Sequence, residues 1–289
     1  MKQIIPMLVA LLCLTGFAQA KPNAQEAKKL LEAGNARFVA GTTTHPRSDM
    51  TRAALAAKSD QADYAIATIL SCSDSRVPPE LLFDAGIMDL FIIRIAGNVC
   101  SGDEIGSAEY GALHVKTPLL VVMGHSKCGA VTAVVKGLKG EGHALEKNIP
   151  PLVSPVVPAA QKVLQSFPQA TTENLVIRST EENVWQGIEN IFLRSAAIRE
   201  AALAGKVVVA GAIYDLESGT VRWLSEEKSA ELLKRAEANP ASDTQKMAAG
   251  GHAEPAPAKP ATQPDAAEGS TAPRKTSGHA EPEHGAAHH

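Results

Sequence analysis

The 289-residue chain is long enough for one or two domains, and its 45% hydrophobic content supplies a substantial core. A formal net charge of -3 and a pI near 6.3 leave no basic excess. The electrostatic footprint of a nucleic-acid-binding protein is therefore missing, and no nucleic-acid partner is expected.

Residues 1–20 read as a secretory signal. Lys2 gives the charged start, Ile4 to Phe17 the apolar stretch, and Ala18-Gln19-Ala20 the small-x-small cleavage site before Lys21. The apolar run is shorter than the roughly 20 residues of a spanning helix. The mature protein is thus expected to be periplasmic or secreted, with no stable membrane insertion after cleavage. Cys13 is not a lipoprotein acceptor, because Leu12 stands where a small residue is needed. Removing the signal leaves Cys72, Cys100 and Cys128, an odd set that argues against a disulfide framework. Pairing of Cys72 with Cys128 stays open beside metal ligation, and Cys100 reads as a spare, partly buried thiol.

From Ala24 to Val39 the residues Ala27, Leu30, Leu31 and Phe38 recur at helical spacing, opposite Lys28, Lys29 and Glu32. Gly34 lies in phase on the apolar face, where glycine costs roughly 1 kcal/mol relative to alanine. Gly41 to Pro46 ends this helix, His45 reads as a loop histidine, and Thr51 to Lys58 forms another helical turn or two. The pattern then alternates. Tyr64 to Leu70, Leu90 to Ile95, Leu119 to Met123 and Lys206 to Ile213 are short, apolar and β-branched, as strands covered on both faces are. Helices are expected at Pro79 to Ala85, Asp103 to Val115 and Lys127 to Leu138, then from Ile149 to Gln165 and from Thr171 to Leu203. Tyr214 to Thr220 reads as a hairpin turn leading to an antiparallel edge strand, Val221 to Leu224, and Glu226 to Ala236 as the closing helix. The expected fold is α/β: a mostly parallel central β-sheet flanked by helices, with an antiparallel edge strand and an N-terminal helical arm. It occupies residues 21–238. Residues 239–289 turn to Ala, Pro, Glu, Gly and His and are expected to be a disordered tail bearing five of the nine histidines, His252, His279, His284, His288 and His289.

In such folds the chemistry gathers where strands end and helices begin. Two motifs sit at that junction. Ser71-Cys72-Ser73-Asp74-Ser75-Arg76 follows the first strand, and Gly124-His125-Ser126-Lys127-Cys128-Gly129 follows the third. Cys72, His125 and Cys128 make three ligands, two soft thiolates and an imidazole, which favours zinc and leaves a fourth position for water. Two thiolates weaken the metal as a Lewis acid, so help from outside its ligands is needed. Asp74 is placed to take a proton or hydrogen bond from the water, and Arg76 to keep Asp74 ionised. Backbone N–H groups near Gly129, at a helix N-terminus, suit a developing oxyanion.

C-x-D-S-R with H-x-x-C, and Arg94-Ile95-Ala96-Gly97-Asn98 between them, resemble the β-class carbonic anhydrases over residues 24 to 236 or so. The resemblance implies zinc held by Cys72, His125 and Cys128, an Asp74-Arg76 pair, and zinc-bound hydroxide that converts carbon dioxide to bicarbonate. It further implies a homodimer or homotetramer. By the same resemblance Phe91 and Tyr110 wall the substrate pocket, and Gln61 is the substrate-orienting glutamine, although it stands about two residues too far from Cys72. Some relatives close the site when the counterpart of Asp74 moves onto zinc. Others carry an inhibitory bicarbonate pocket built on a tryptophan, an arginine and a tyrosine. Arg94 and Tyr214 match the latter two, but Ile69 holds the tryptophan position, which argues against that pocket here. Two alternatives remain: a lyase or hydrolase acting on a sulfur analogue of carbon dioxide, and a non-catalytic secreted zinc-binding protein that uses the histidine tail.

Overall fold

The structure, a computed structural model, describes residues 21–239. Residues 1–20, expected to be a signal, and all five tail histidines lie outside the described residues. Helix α1 (Ala24–Val39) starts at a capping box in which Asn23 accepts from the Glu26 N–H and Glu26 accepts from the Asn23 N–H, satisfying donors that a helix start leaves open. A short α2 (Met50–Ala56) follows, then β1 (Ala67–Ser71), α3 (Pro79–Leu82), β2 (Leu90–Arg94), α4 (Gly102–Glu109), β3 (Leu119–His125) and α5 (Gly129–Leu138). Beyond these come α6 (Ile149–Val153), α7 (Val157–Ser166), α8 (Thr172–Arg194), α9 (Ala196–Leu203), β4 (Val208–Tyr214), β5 (Val221–Trp223) and α10 (Glu226–Glu237).

The sheet order is β2-β1-β3-β4-β5, parallel except for the antiparallel β4–β5 hairpin. Successive side chains of β3 enter opposite layers, as the two-residue strand period requires. Leu119, Val121 and Met123 pack with Ala27 and Leu31 of α1 and Leu82 of α3. Leu120 and Val122 meet Ile105 and Ala108 of α4, Trp185, Ile188 and Phe192 of α8, and Leu232 of α10. A third apolar group sits above the strand ends, where Val131 and Val135 of α5 pack with Val163 of α7 and Leu175 of α8, and it includes Cys72 and Cys128. The N-terminal helix therefore lies on the sheet. Asn35 donates to the carbonyls of Leu82 and Gly219 and accepts from the Val221 N–H, joining α1 to α3 and β5.

Several expected elements are divided or shifted. The first strand begins at Ala67 rather than Tyr64, because Gln61–Asp63 make a 3-10 turn and Tyr64 lies under the Arg52 guanidinium, 4.4 Å from its ring centroid. The helix expected from Asp103 to Val115 changes at Tyr110 into a π-helical turn, Tyr110–His114. There Gly111 passes so close to the Thr68 hydroxyl that a Cβ has no room. Pro155 and Pro158 interrupt the helix after Ile149 with a 3-10 turn, Ser154–Val156. Ser195 breaks the long helix before Leu203: its extended backbone starts α9, its hydroxyl accepts from the Ile198 N–H, and it donates to Glu109.

Candidate metal centre and catalytic site

The third strand runs two residues beyond the expected Met123, so His125 is itself paired, opposite Tyr214. Past it the chain reverses at Lys127, which adopts a left-handed backbone (φ 54°), and Cys128 caps α5. That reversal returns Cys128 beside His125. Cys72 arrives from the end of β1, one strand over. The sulfurs of Cys72 and Cys128 and a ring nitrogen of His125 lie within 4.8 Å of one another, and all three residues are buried. A tetrahedral zinc with bonds of roughly 2.0–2.3 Å holds its ligand atoms about 3.5–3.8 Å apart, so the cluster is of the right size.

The protonation pattern provides the sharper test of fit. His125 Nδ1 lies 2.9 Å from the Ser126 carbonyl oxygen, which can only accept, so Nδ1 carries the hydrogen and donates it. Nε2 is left as a bare lone pair, buried and with no hydrogen-bond partner. An orphaned acceptor facing two sulfurs fits a soft divalent cation, and the Ser126 carbonyl is the outer partner that fixes the tautomer. The Cys72 sulfur is prepared in the same sense. Cys72 Sγ accepts from the N–H groups of Gly97 (3.3 Å) and Asp74 (3.4 Å). The hydrogen bond between the two cysteines lowers Cys72 first, helped by His125 and these amides, whereas Cys128 is pushed up by that same bond and by burial.

The Asp74 carboxylate stands at the rim, its Oδ2 4.0 Å from His125 Nε2. Arg76 grips it through Nε to Oδ1 (2.9 Å) and Nη2 to Oδ2 (2.6 Å), and donates to the Lys127 carbonyl as well. This bidentate hold keeps the Asp74 carboxyl well below the usual carboxylate range despite some desolvation. Arg76 therefore ties the two motifs together. Gly129 opens α5 with an exposed backbone and clear space about its α-carbon.

The remaining expected substrate contacts lie elsewhere in the single chain. Phe91 is level with Thr68, roughly 13 Å along the strand direction from Cys72 at 3.3 Å per residue. It packs on the half-exposed Tyr110 (centroids 5.9 Å apart), which in turn stacks on His114 at 5.2 Å. Gln61 lies in the 3-10 turn before β1, beside a cavity lined by Lys58, Asp60 and Met88. Cys100 is buried against α8 at Gly187, away from the other sulfurs, and burial pushes its thiol up beyond ordinary ionisation.

Sequence reasoning quoted Gly97 and Ser126 only as members of motifs and missed what their backbones do: Gly97, in a left-handed conformation (φ 72°), presents an N–H to Cys72, and the Ser126 carbonyl accepts from His125. Backbone groups carry no side-chain signature. It also passed over Asn183, a polar residue on the buried stripe of α8 whose amide donates to the Gly97 carbonyl at 2.8 Å. A polar side chain between Thr180 and Val184 was a signal in plain view.

Comparison with known proteins agrees with this geometry. The family model described as carbonic anhydrase matches residues 67–221. A carbonic anhydrase of Mycolicibacterium smegmatis is 36% identical over 203 residues, covering 70% of this chain and 94% of the relative. Carbonic anhydrase 2 of Mycobacterium tuberculosis is 34% identical over 198 residues, with 68% and 91% covered. Among solved structures, the β-carbonic anhydrase CafA of Aspergillus fumigatus superposes with a TM-score of 0.56 at 25% identity, covering 71% of this chain and 93% of that one. A tetrameric β-carbonic anhydrase of Sordaria macrospora shares the fold with a TM-score of 0.55 at 23% identity, with 68% and 96% covered. With the ligand cluster and the fold in agreement with these matches, the chain belongs to the β class of the carbonic anhydrase family and is an enzyme of that kind.

Proposed function

We propose that the protein is a zinc enzyme that reversibly hydrates carbon dioxide to bicarbonate and a proton. The observation that carries this reading is the buried, unpartnered Nε2 of His125, which faces two sulfurs beside an arginine-held carboxylate. Cys72, His125 and Cys128 would hold the metal. When bound, zinc supplies Lewis acidity that brings a water's pKa down to about 7, a value for which carbonic anhydrase is itself the standard illustration. The protein does the rest by placement. Asp74 stays ionised under the Arg76 fork and accepts a hydrogen bond from the nucleophilic water, aiming one lone pair at the substrate. The amides of Gly97 and Asp74 stabilise the Cys72 sulfur as an anion, and the Ser126 carbonyl holds His125 with Nε2 inward. Around Gly129 the start of α5 offers a positive helix end to the oxygen on which charge develops.

Phe91, Tyr110 and Gln61 enter this reading through assembly. Strand β2 is a sheet edge among the described residues, flanked by the exposed Leu81, Ile87 and Tyr110, and a second copy set against it would bring that copy's residues towards the site. We assign a homodimer or homotetramer on this basis, in line with the tetrameric relative, and sedimentation of the mature protein measures it. The signal-like residues 1–20 support a periplasmic or exterior location, and N-terminal sequencing of exported protein should read Lys21 first. No helix among the described residues is long and apolar enough to cross a membrane.

Stopped-flow hydration on zinc-loaded protein tests the function. Rapid pH-linked conversion of carbon dioxide supports it. Zinc-replete protein that does not accelerate hydration, or that turns over only a sulfur analogue, overturns it.

A further inference from the structure

We propose that Arg94 is a positioning residue that holds the Cys72–Asp74 turn, and with it the geometry of the metal centre. Arg94 closes β2 in register with Ser71, the last residue of β1. Beyond Ser71 the chain leaves the sheet and carries Cys72 and Asp74 on a turn. Arg94 donates from Nε to the Cys72 carbonyl oxygen (3.1 Å) and from Nη2 to the Asp74 carbonyl oxygen (2.6 Å). One planar guanidinium thus fixes the peptide groups that follow Cys72 and Asp74, a task suited to its rigid fork of donors and poorly met by a point charge.

The contacts around it are backbone groups of the same segment. Ile95 N–H donates to the Ser71 carbonyl, Ser73 N–H donates to the Ile95 carbonyl, and Gly97 N–H donates to Cys72 Sγ. Residues 94–97 therefore hold the turn by its carbonyls, its amide and its sulfur together, and Arg94 provides the side-chain part of that hold. The division of labour with Arg76 is clear-cut: Arg76 takes the Asp74 carboxylate, and Arg94 takes the Asp74 carbonyl. Fixing both ends of Asp74 sets its distance to His125 Nε2. Arg94 is exposed, its bond to the Asp74 carbonyl lies at the surface and its bond to the Cys72 carbonyl is half-buried, so removing it leaves neither acceptor in the middle of a core. The fold should then survive while the centre loosens. This inference rests on the metal-site reading above.

The test uses full mature protein loaded with cobalt(II), whose visible bands report ligand geometry without turnover, and with zinc for kinetics. Arg94→Ala and Arg94→Lys are compared with wild type and with Arg235→Ala, which removes an exposed partner of Glu189 far from the motifs. Arg94→Ala should take up one cobalt per chain with shifted band positions or intensities, and competition with a chelator should show affinity weakened on the order of tenfold or more. In the zinc form kcat should fall on the order of tenfold to a hundredfold with KM little changed. Arg94→Lys should recover part of both effects, and Arg235→Ala should match wild type. An Arg94→Ala variant with the wild-type cobalt spectrum, affinity and kcat overturns the proposal. If the alanine variant does not fold, Arg94→Lys decides, and a wild-type spectrum there overturns it. Wild-type protein that binds cobalt yet hydrates no carbon dioxide sinks the functional reading and leaves the cobalt comparison standing. Wild-type protein that takes up no cobalt sinks both.

Discussion

Asp74 and Asp84 stand ten residues apart, and each is gripped by an arginine, yet the two pairs serve different ends. Asp74 is bound by Arg76, two residues on, with 17% of the aspartate and 52% of the arginine side chain exposed. That contact is local, so it barely constrains the fold, and it presents a charged carboxylate to the site. Asp84 is fully buried and draws its partners from the N-terminal region: Arg37 at 2.6 Å, the hydroxyl of Thr44, and the N–H groups of Thr44 and His45. It fastens α1 and the following loop to the body of the protein. The same chemical pair prepares a reaction in one place and closes a tertiary contact in the other, and sequence distance between partners separates the two uses.

The site side of this contrast should respond in activity. Cys128→Ala should abolish both zinc binding and hydration, and mass spectrometry showing unchanged zinc would contradict the ligand assignment. Asp74→Ala should keep zinc and stability while hydration falls by roughly 10²–10³-fold. Near-normal stopped-flow rates would remove the carboxylate from the mechanism.

The docking side should respond in stability. At Gly34 an added methyl overlaps the Phe83 carbonyl, so Gly34→Ala should cost about 2–3 kcal/mol in denaturant unfolding, the reverse of the gain expected for an open helical position. Equal or greater stability would show that α1 docks differently. Asp84→Asn should destabilise by about 2 kcal/mol at neutral pH with kcat per folded molecule unchanged. Burial would raise the Asp84 carboxyl, but Arg37 and the donors of Thr44 and His45 outweigh it and bring the group down to about 2. Because the folded value is depressed, its contribution is complete above the unfolded value of about 3.9 and is lost as pH falls towards 2. The gap between wild type and Asp84→Asn should therefore close in that window, and a gap independent of pH would mean that packing rather than charge holds the loop.

Gly34 also shows how a residue can be noticed and misread. Along the sequence it is a weak point in an amphipathic helix, and only the approach of Phe83, nearly fifty positions away, makes its missing side chain a requirement. The helix itself was legible from Ala24 to Val39, because local periodicity and a capping residue suffice to define it. The break at Ser195 was not, because it depends on a hydroxyl reaching Glu109 on another helix.

By itself the sequence determined the alternation of strands and helices and the identity of the soft donors, since hydropathy period and ligand chemistry are properties of single residues and their near neighbours. The convergence of Cys72, His125 and Cys128, the inward Nε2 set by the Ser126 carbonyl, and the clamp of residues 94–97 on the Cys72–Asp74 turn were decided by tertiary structure. Those features depend on which strand ends become neighbours and where backbone donors and acceptors point, and the pairing of β1 with both β2 and β3 brings them together.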